Sequence, residues 1–118
     1  MNLESIRPWL LPAAVAGFFG WRFLRFRAIK SRLPELLRRG AVVVDVRGPA
    51  EFAAGARPGS VNIPLSDLTS RMGELDPAKP VVVCCASGTR SAVARKLLKA
   101  RGFKEVVNAG PWSNTLTA

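Results

Sequence analysis

The sequence contains no histidine and no tyrosine. Without imidazole there is no Ser-His-Asp or Cys-His relay, and no zinc site of any histidine-containing kind. Cysteine is scarce as well, and the two present, Cys84 and Cys85, are neighbours. Adjacent thiols supply neither the disulfide framework of a small secreted domain nor a four-thiolate metal site. Any thiol chemistry must therefore be activated by electrostatics rather than by a neighbouring base, and no cofactor or metal is expected. Acidic residues are few, 8 against 18 lysines and arginines, for a net charge of +10. No apolar run reaches the ~20 residues needed to cross a hydrocarbon core. The nearest, Trp9 to Trp21, has thirteen.

What is present fits one folded domain. The chain has 118 residues, 48% hydrophobic and 22% charged, which is ordinary for a packed core. The charge is uneven. Arg22, Arg25, Arg27, Lys30, Arg32, Arg38 and Arg39 lie directly after the apolar run, a placement suited to anionic lipid headgroups. Arg95, Lys96, Lys99, Arg101 and Lys104 read as the solvated face of a later helix. Nucleic acid is not expected as a partner, because basic charge comes without any recognition motif.

The stretch from Trp9 to Trp21 carries an aromatic residue at each end, and snorkelling of Arg22 and Arg25 extends its apolar span to about 18 residues. Charges that follow the apolar run, instead of preceding it, do not fit a cleaved secretory signal. Three readings are open: a single-pass anchor, with the rest of the chain on the cytoplasmic side, a helix lying in the interface, or a soluble helix packed on the domain. Residues 1–30 are thus expected to form a membrane-anchor helix with its basic flank, and residues 31–118 the domain.

Beyond the boundary near Lys30–Ser31, a short helix is expected to start at Ser31 and stop at Gly40. Ala41-Val42-Val43-Val44 and Val81-Val82-Val83-Cys84 are continuous apolar runs, as in strands buried on both faces of a parallel sheet. Short helices are expected over 49–54 and from Ser66 to about Leu75. Val61-Asn62-Ile63 and Glu105-Val106-Val107 read as short strands, with a longer helix from Ser91 to Arg101. Alternating strands and helices imply an α/β domain with a central parallel sheet flanked by helices. Ligands of such sheets sit beyond the C-terminal strand ends, where Asp45 and Cys85 fall.

The segment Cys85-Ala86-Ser87-Gly88-Thr89-Arg90-Ser91 carries the chemistry. A thiol at a strand end, facing a helix N-terminus, lies in a positive field that favours thiolate. Free backbone N–H groups and Arg90 can hold an anion against it. Two counts are possible. From Cys85 to Arg90 the spacing is C-x4-R; from Cys84 it is C-x5-R, the spacing of a phosphatase cradle. Cys85 is the expected nucleophile, with Cys84 an inert strand residue. Arg90 either meets the donor or is tied by a carboxylate such as Asp45. Arg47 and Glu51, four apart, are expected to pair, the Ser87 and Thr89 hydroxyls are candidates to face the sulfur, and Ser91 is expected to cap the following helix.

Asp45-Val46-Arg47, Glu51-Phe52, Gly55, Pro58-Gly59-Ser60-Val61-Asn62-Ile63-Pro64 and Cys85 to Ser91 resemble, in order and spacing, the rhodanese (sulfurtransferase) family. The resemblance runs from about Ser31 to Trp112. It implies a small rhodanese-like α/β domain in which Cys85 takes a sulfane sulfur from a small anionic donor such as thiosulfate, forming a persulfide. The sulfur then passes to a thiol or cyanide-like acceptor. In the family, the six-residue loop accompanies sulfur transfer, and a loop one residue longer accompanies phosphatases and arsenate reductases. The chain departs from the family pattern at Ala56, where a histidine is usual, at Ala86, where a basic residue is common, and in its short ending after Trp112. The departures at Ala56 and Ala86 motivate one alternative, a catalytically weak module that recruits partners at the membrane. The C-x5-R count from Cys84 motivates another, a phosphatase or arsenate reductase using Cys84.

Overall fold

The structure, a computed structural model, describes residues 7–117; residues 1–6 of the expected anchor segment, and residue 118, lie outside the described residues. Four parallel strands form one sheet in the order β2-β1-β3-β4: β1 (Val42–Asp45), β2 (Val61–Asn62), β3 (Val81–Cys85) and β4 (Val106–Pro111). Valines dominate the two central strands because β-branched side chains pack well on a pleated surface covered on both sides. The helices are α1 (Leu10–Arg38), α2 (Pro49–Ala54), α3 (Leu68–Arg71) and α4 (Thr89–Ala100).

Each face of the sheet has its own core. On one, Val44, Val81, Val83 and Cys85 meet Leu68 and Met72 from the α3 segment and Ala94 and Leu98 from α4. On the other, Val43, Val82, Cys84 and Val107 meet Ile29, Leu33 and Leu36 of α1. Strand residues alternate between faces, so the two adjacent cysteines are buried in different cores.

Three expectations are corrected here. The helices foreseen on either side of Lys30–Ser31 are one helix, α1, and the Ser31 hydroxyl donates to the Ala28 carbonyl (2.7 Å) inside it. Pro34 lies in its interior. A proline there costs about 3 kcal/mol, which is offset because Ile29, Leu33 and Leu36 keep helical spacing across it and bury against the sheet. The helix foreseen from Ser66 is instead a series of short turns: 3-10 at Leu65–Asp67, α3, then 3-10 at Met72–Glu74. The last strand runs on through Asn108 to Pro111, a stretch that reads as loop from sequence. Asn108 is tolerated there because its amide is fully engaged in the network described below.

Beyond β4 the chain closes with a 3-10 turn, Trp112–Thr117. Arg57 donates to the Thr115 carbonyl and fastens that turn to the segment before β2. No helix among the described residues is long and apolar enough to cross a membrane. The outer half of α1 is nonetheless bare: Leu11, Phe19, Phe23 and Leu24 are 60–75% exposed.

Candidate active site

The C-terminal ends of β1 and β3 place Asp45 and Cys85 on the same edge of the sheet, with Asp45 in register with Cys84. A register shift between Val83 and Cys84 then sets Cys84 against Gly110 and Cys85 against Pro111. Such irregularities re-aim side chains at the rim of a sheet. After Cys85 the chain turns through exposed Ala86 and Ser87 to Gly88, which has φ +103° and is the N-cap of α4. That left-handed conformation is open to glycine and strained for other residues. It bends the backbone so that the Gly88 N–H donates to Cys85 Sγ at 2.9 Å.

A buried polar chain continues from the sulfur. Ser91 Oγ lies 3.3 Å from Sγ and donates to Asn108 Oδ1 at 2.7 Å. Asn108 Oδ1 also accepts from the Gly110 N–H (2.9 Å), and its Nδ2 donates to the Gly88 carbonyl (3.2 Å). A hydroxyl has one proton to give. With a protonated thiol, the S–H donates to Ser91, whose own proton goes to Asn108. With a thiolate, Ser91 can turn its proton to the sulfur while Asn108 Oδ1 keeps the Gly110 N–H. Both protonation states are thus accommodated without leaving a buried acceptor bare.

The consequence for the two thiols is opposite. Burial pushes the Cys85 thiol up, yet hydrogen bonds from the Ser91 side chain and from the backbone of Ser91, Gly88 and Ser87 outweigh it and leave the thiol below its ordinary value. Cys84, among aliphatic side chains, is pushed by burial, and further by the Asp45 carboxylate, up to about 12. Both residues are fully buried; what separates them is the hydrogen-bond donors at Cys85 and the Asp45 carboxylate acting on Cys84. The phosphatase-type reading, which needs Cys84 as its thiolate, meets this rise directly.

Of the loop residues foreseen, Cys85 and Gly88 meet directly, and Ser91 serves the sulfur from within α4 instead of capping it. The hydroxyl at the sulfur is that of Ser91, in place of those of Ser87 and Thr89. Arg90 is tied by a carboxylate, but by Glu51 of α2 (2.7 and 3.0 Å) and not by Asp45. The Arg90 guanidinium, then the Gly48 N–H, hold the Glu51 carboxyl down at about 2. The pair is solvent-exposed, so its worth to stability is small.

Asp45 is instead bound by Arg47, through Nε (2.9 and 3.0 Å) and Nη2 (2.7 Å), in a pair that is almost wholly buried. Arg47 further donates to the Gly55 carbonyl (2.7 Å) and stacks over the Trp112 ring at 4.9 Å. The expected Arg47–Glu51 pairing is limited to the Glu51 backbone carbonyl (3.3 Å). Charge in a dry strand end chose the nearer partner, two residues away. Asn62 Nδ2 donates to the carbonyls of Asp45 and Arg47, both at 3.0 Å, and fixes the same corner.

Sequence reasoning missed Asn108, although a lone amide in an apolar strand is a signal, and it missed the contact of α1 with the loop. Arg22 of α1 donates to the Ser87 carbonyl. Phe26, one turn on, packs so close to Gly110 (φ +77°) that a Cβ there would sit 2.6 Å from its ring.

A thiol held at a strand end by backbone donors, over an arginine-bearing helix start, is the arrangement of a sulfur- or anion-handling α/β domain. Comparison with known proteins agrees. The rhodanese-like domain family matches residues 30–110, and the chain belongs to that family. It is 37% identical over 82 residues to the thiosulfate sulfurtransferase GlpE of Pseudomonas syringae, covering 69% of this chain and 77% of that protein. It is 38% identical over 69 residues to the putative sulfur carrier protein YrkF of Bacillus subtilis, covering 58% of this chain but only 37% of that one. Among solved structures, the human single-domain sulfurtransferase TSTD1 superposes with a TM-score of 0.62 at 31% identity, over 73% of this chain and 90% of that one.

Proposed function

We propose that the protein is a rhodanese-type sulfurtransferase that carries sulfur on Cys85. The observation that carries the proposal is the contrast in the β3 thiols: the one at the loop is favoured as thiolate by Ser91 and Gly88, where its neighbour is held protonated. The thiolate is the reactive form of cysteine. Its electron pair attacks the outer sulfur of a donor such as thiosulfate, the sulfur–sulfur bond breaks, and its electrons leave with sulfite. The product is a Cys85 persulfide, stabilised as an anion by the same N–H groups. An acceptor thiolate or cyanide then attacks the terminal sulfur and restores the Cys85 thiolate, a two-step covalent cycle. Cys85 is covered in the resting structure, so donor access requires a movement of its surroundings.

The compact loop, and relatives named as thiosulfate sulfurtransferases, favour sulfur transfer over the alternative of a recruiting module. The test is formation of thiocyanate from thiosulfate and cyanide. Turnover that disappears in Cys85→Ser and persists in Cys84→Ser is the expected result, and full activity in Cys85→Ser would sink the proposal.

A second reading concerns location. We propose that the outer half of α1 lies in the interface of an anionic membrane, on its cytoplasmic side. Bare Leu11, Phe19, Phe23 and Leu24, followed by Arg25 and Arg27, offer apolar contact beside cationic charge. Co-sedimentation with phosphatidylserine vesicles, weakened by salt and absent with phosphatidylcholine alone, is expected. Equal recovery in the supernatant with both vesicle types would count against it.

A further inference from the structure

We propose that Arg22 of α1 is a positioning residue for the Cys85 thiolate, acting through the Ser87–Gly88 peptide. The two hydrogen bonds that suggest it share one peptide unit. Arg22 Nη2 donates to the Ser87 carbonyl oxygen, and the N–H of the next residue, Gly88, donates to Cys85 Sγ at 2.9 Å. No cis bond occurs among the described residues. A trans peptide is planar, with its C=O and N–H pointing in opposite directions. Fixing the oxygen from the α1 side therefore aims the N–H at the sulfur. A cation on the oxygen also polarises the unit and makes its N–H a better donor, because hydrogen bonds in a chain reinforce one another.

The geometry around this unit is built for it. Phe26, one turn beyond Arg22 on α1, packs against Gly88 and Gly110, and a Cβ on either glycine would come within 3.2 Å or less of its ring. Arg22 itself stands 5.4 Å above the Phe26 ring. Both residues precede the family match, which begins at residue 30. The part of α1 ahead of the family match thus supplies a cation to a loop that has alanine, Ala86, directly after its cysteine.

Arg25 of α1, which lines the same groove as Gly88, Thr89 and Asn108, lies over the Trp21 ring at 5.3 Å. The remaining charged groups near the thiol are held in ion pairs. Arg90 of α4 is bound by Glu51 of α2, and Asp45 and Arg47 at the end of β1 are bound to each other. On β4 the facing group is the neutral Asn108. Arg22 is the cation whose hydrogen bond ends on the loop backbone itself.

The inference rests on Cys85 as the reacting thiol, and its test reads that thiol without any sulfur transfer. Alkylation of Cys85 by iodoacetamide is followed against pH in the full chain by peptide mass mapping. In wild type the midpoint should lie below that of an ordinary cysteine; a midpoint at or above it would remove Cys85 as the activated thiol and the inference with it. Arg22→Gln should raise the midpoint by about half a pH unit, a roughly threefold loss of rate below it. Arg22→Lys should fall between the two, and Lys96→Gln, which removes the same net charge from the outer face of α4, should match wild type. A role limited to covering the sulfur would change the plateau rate and leave the midpoint in place. An unchanged midpoint in Arg22→Gln, or an equal rise in Lys96→Gln, would overturn the inference. Should Arg22→Gln not fold, NMR on the wild-type chain decides: the Arg22 Nη and Gly88 amide protons should titrate with the Cys85 midpoint, and a Gly88 amide that titrates alone would overturn it.

Discussion

Cys84 and Cys85 are consecutive residues of one strand, and both are fully buried. Cys84 points into the aliphatic core under α1, among Ile29, Leu33 and Leu36. Cys85 points to the other face, where Gly88 and Ser91 hydrogen-bond its sulfur. Burial alone would make the pair equally inert. What separates them is a half-turn of strand pleat, which gives one sulfur the donors at the start of α4 and leaves the other among aliphatic side chains, in the field of the Asp45 carboxylate. Reactivity in this fold is assigned by face before it is assigned by exposure.

The severest way to break that comparison is to exchange the sulfurs for oxygen one at a time. Cys85→Ser should lower sulfur transfer on the order of a thousandfold or more, since the nucleophile itself is gone, whereas Cys84→Ser should keep activity within a few fold. Steady-state thiocyanate formation reads both. Next in size is Asp45→Ala, which leaves Arg47 buried without its partner. A loss of about 3–5 kcal/mol is expected from urea unfolding, with the Cys85 alkylation midpoint little changed in whatever fraction folds. A large shift in that midpoint would mean that the β1 charge pair tunes the thiol, contrary to the account.

Gly110→Ala sharpens the comparison from the α1 side. Its positive φ and the contact with Phe26 oppose any Cβ, so a destabilisation of about 1–3 kcal/mol is expected by thermal unfolding. Ser91→Ala removes the donor to Cys85 and leaves Cys84 as it was. The Cys85 midpoint should rise, and alkylation near neutral pH should slow by about threefold to tenfold. The smallest effect is on pH. Glu51, held near 2 by Arg90, has a folded value below its ordinary one, so the Glu51–Arg90 tie stabilises above pH 4.5 and fades as pH falls towards 2. Glu51→Gln should erase only that small acid-side slope in stability.

The central strands and the loop after them are legible in the sequence because valine runs and a six-residue, small-residue turn state their own geometry. The partners of the charges are not. Arg47 sits two residues from Asp45 and four from Glu51, and only the fold shows that Arg90, far along the chain, takes the Glu51 carboxylate. Asn108 looks like the start of a loop because its amide is costly in a strand until Ser91, Gly88 and Gly110 are brought to it. The reach of α1 is the least visible feature. Ser31 and Glu35 suggest a new helix at the boundary, while the inner stripe of Ile29, Leu33 and Leu36 belongs to one helix that runs through it and delivers Arg22 to the loop.

The central claim, that sulfur is held on Cys85 and not on Cys84, is met most directly by intact mass spectrometry after thiosulfate treatment of wild type, Cys84→Ser and Cys85→Ser. A gain of one sulfur atom in wild type and Cys84→Ser, removed by cyanide and absent from Cys85→Ser, is the predicted result. A gain that persists in Cys85→Ser and vanishes in Cys84→Ser would contradict it.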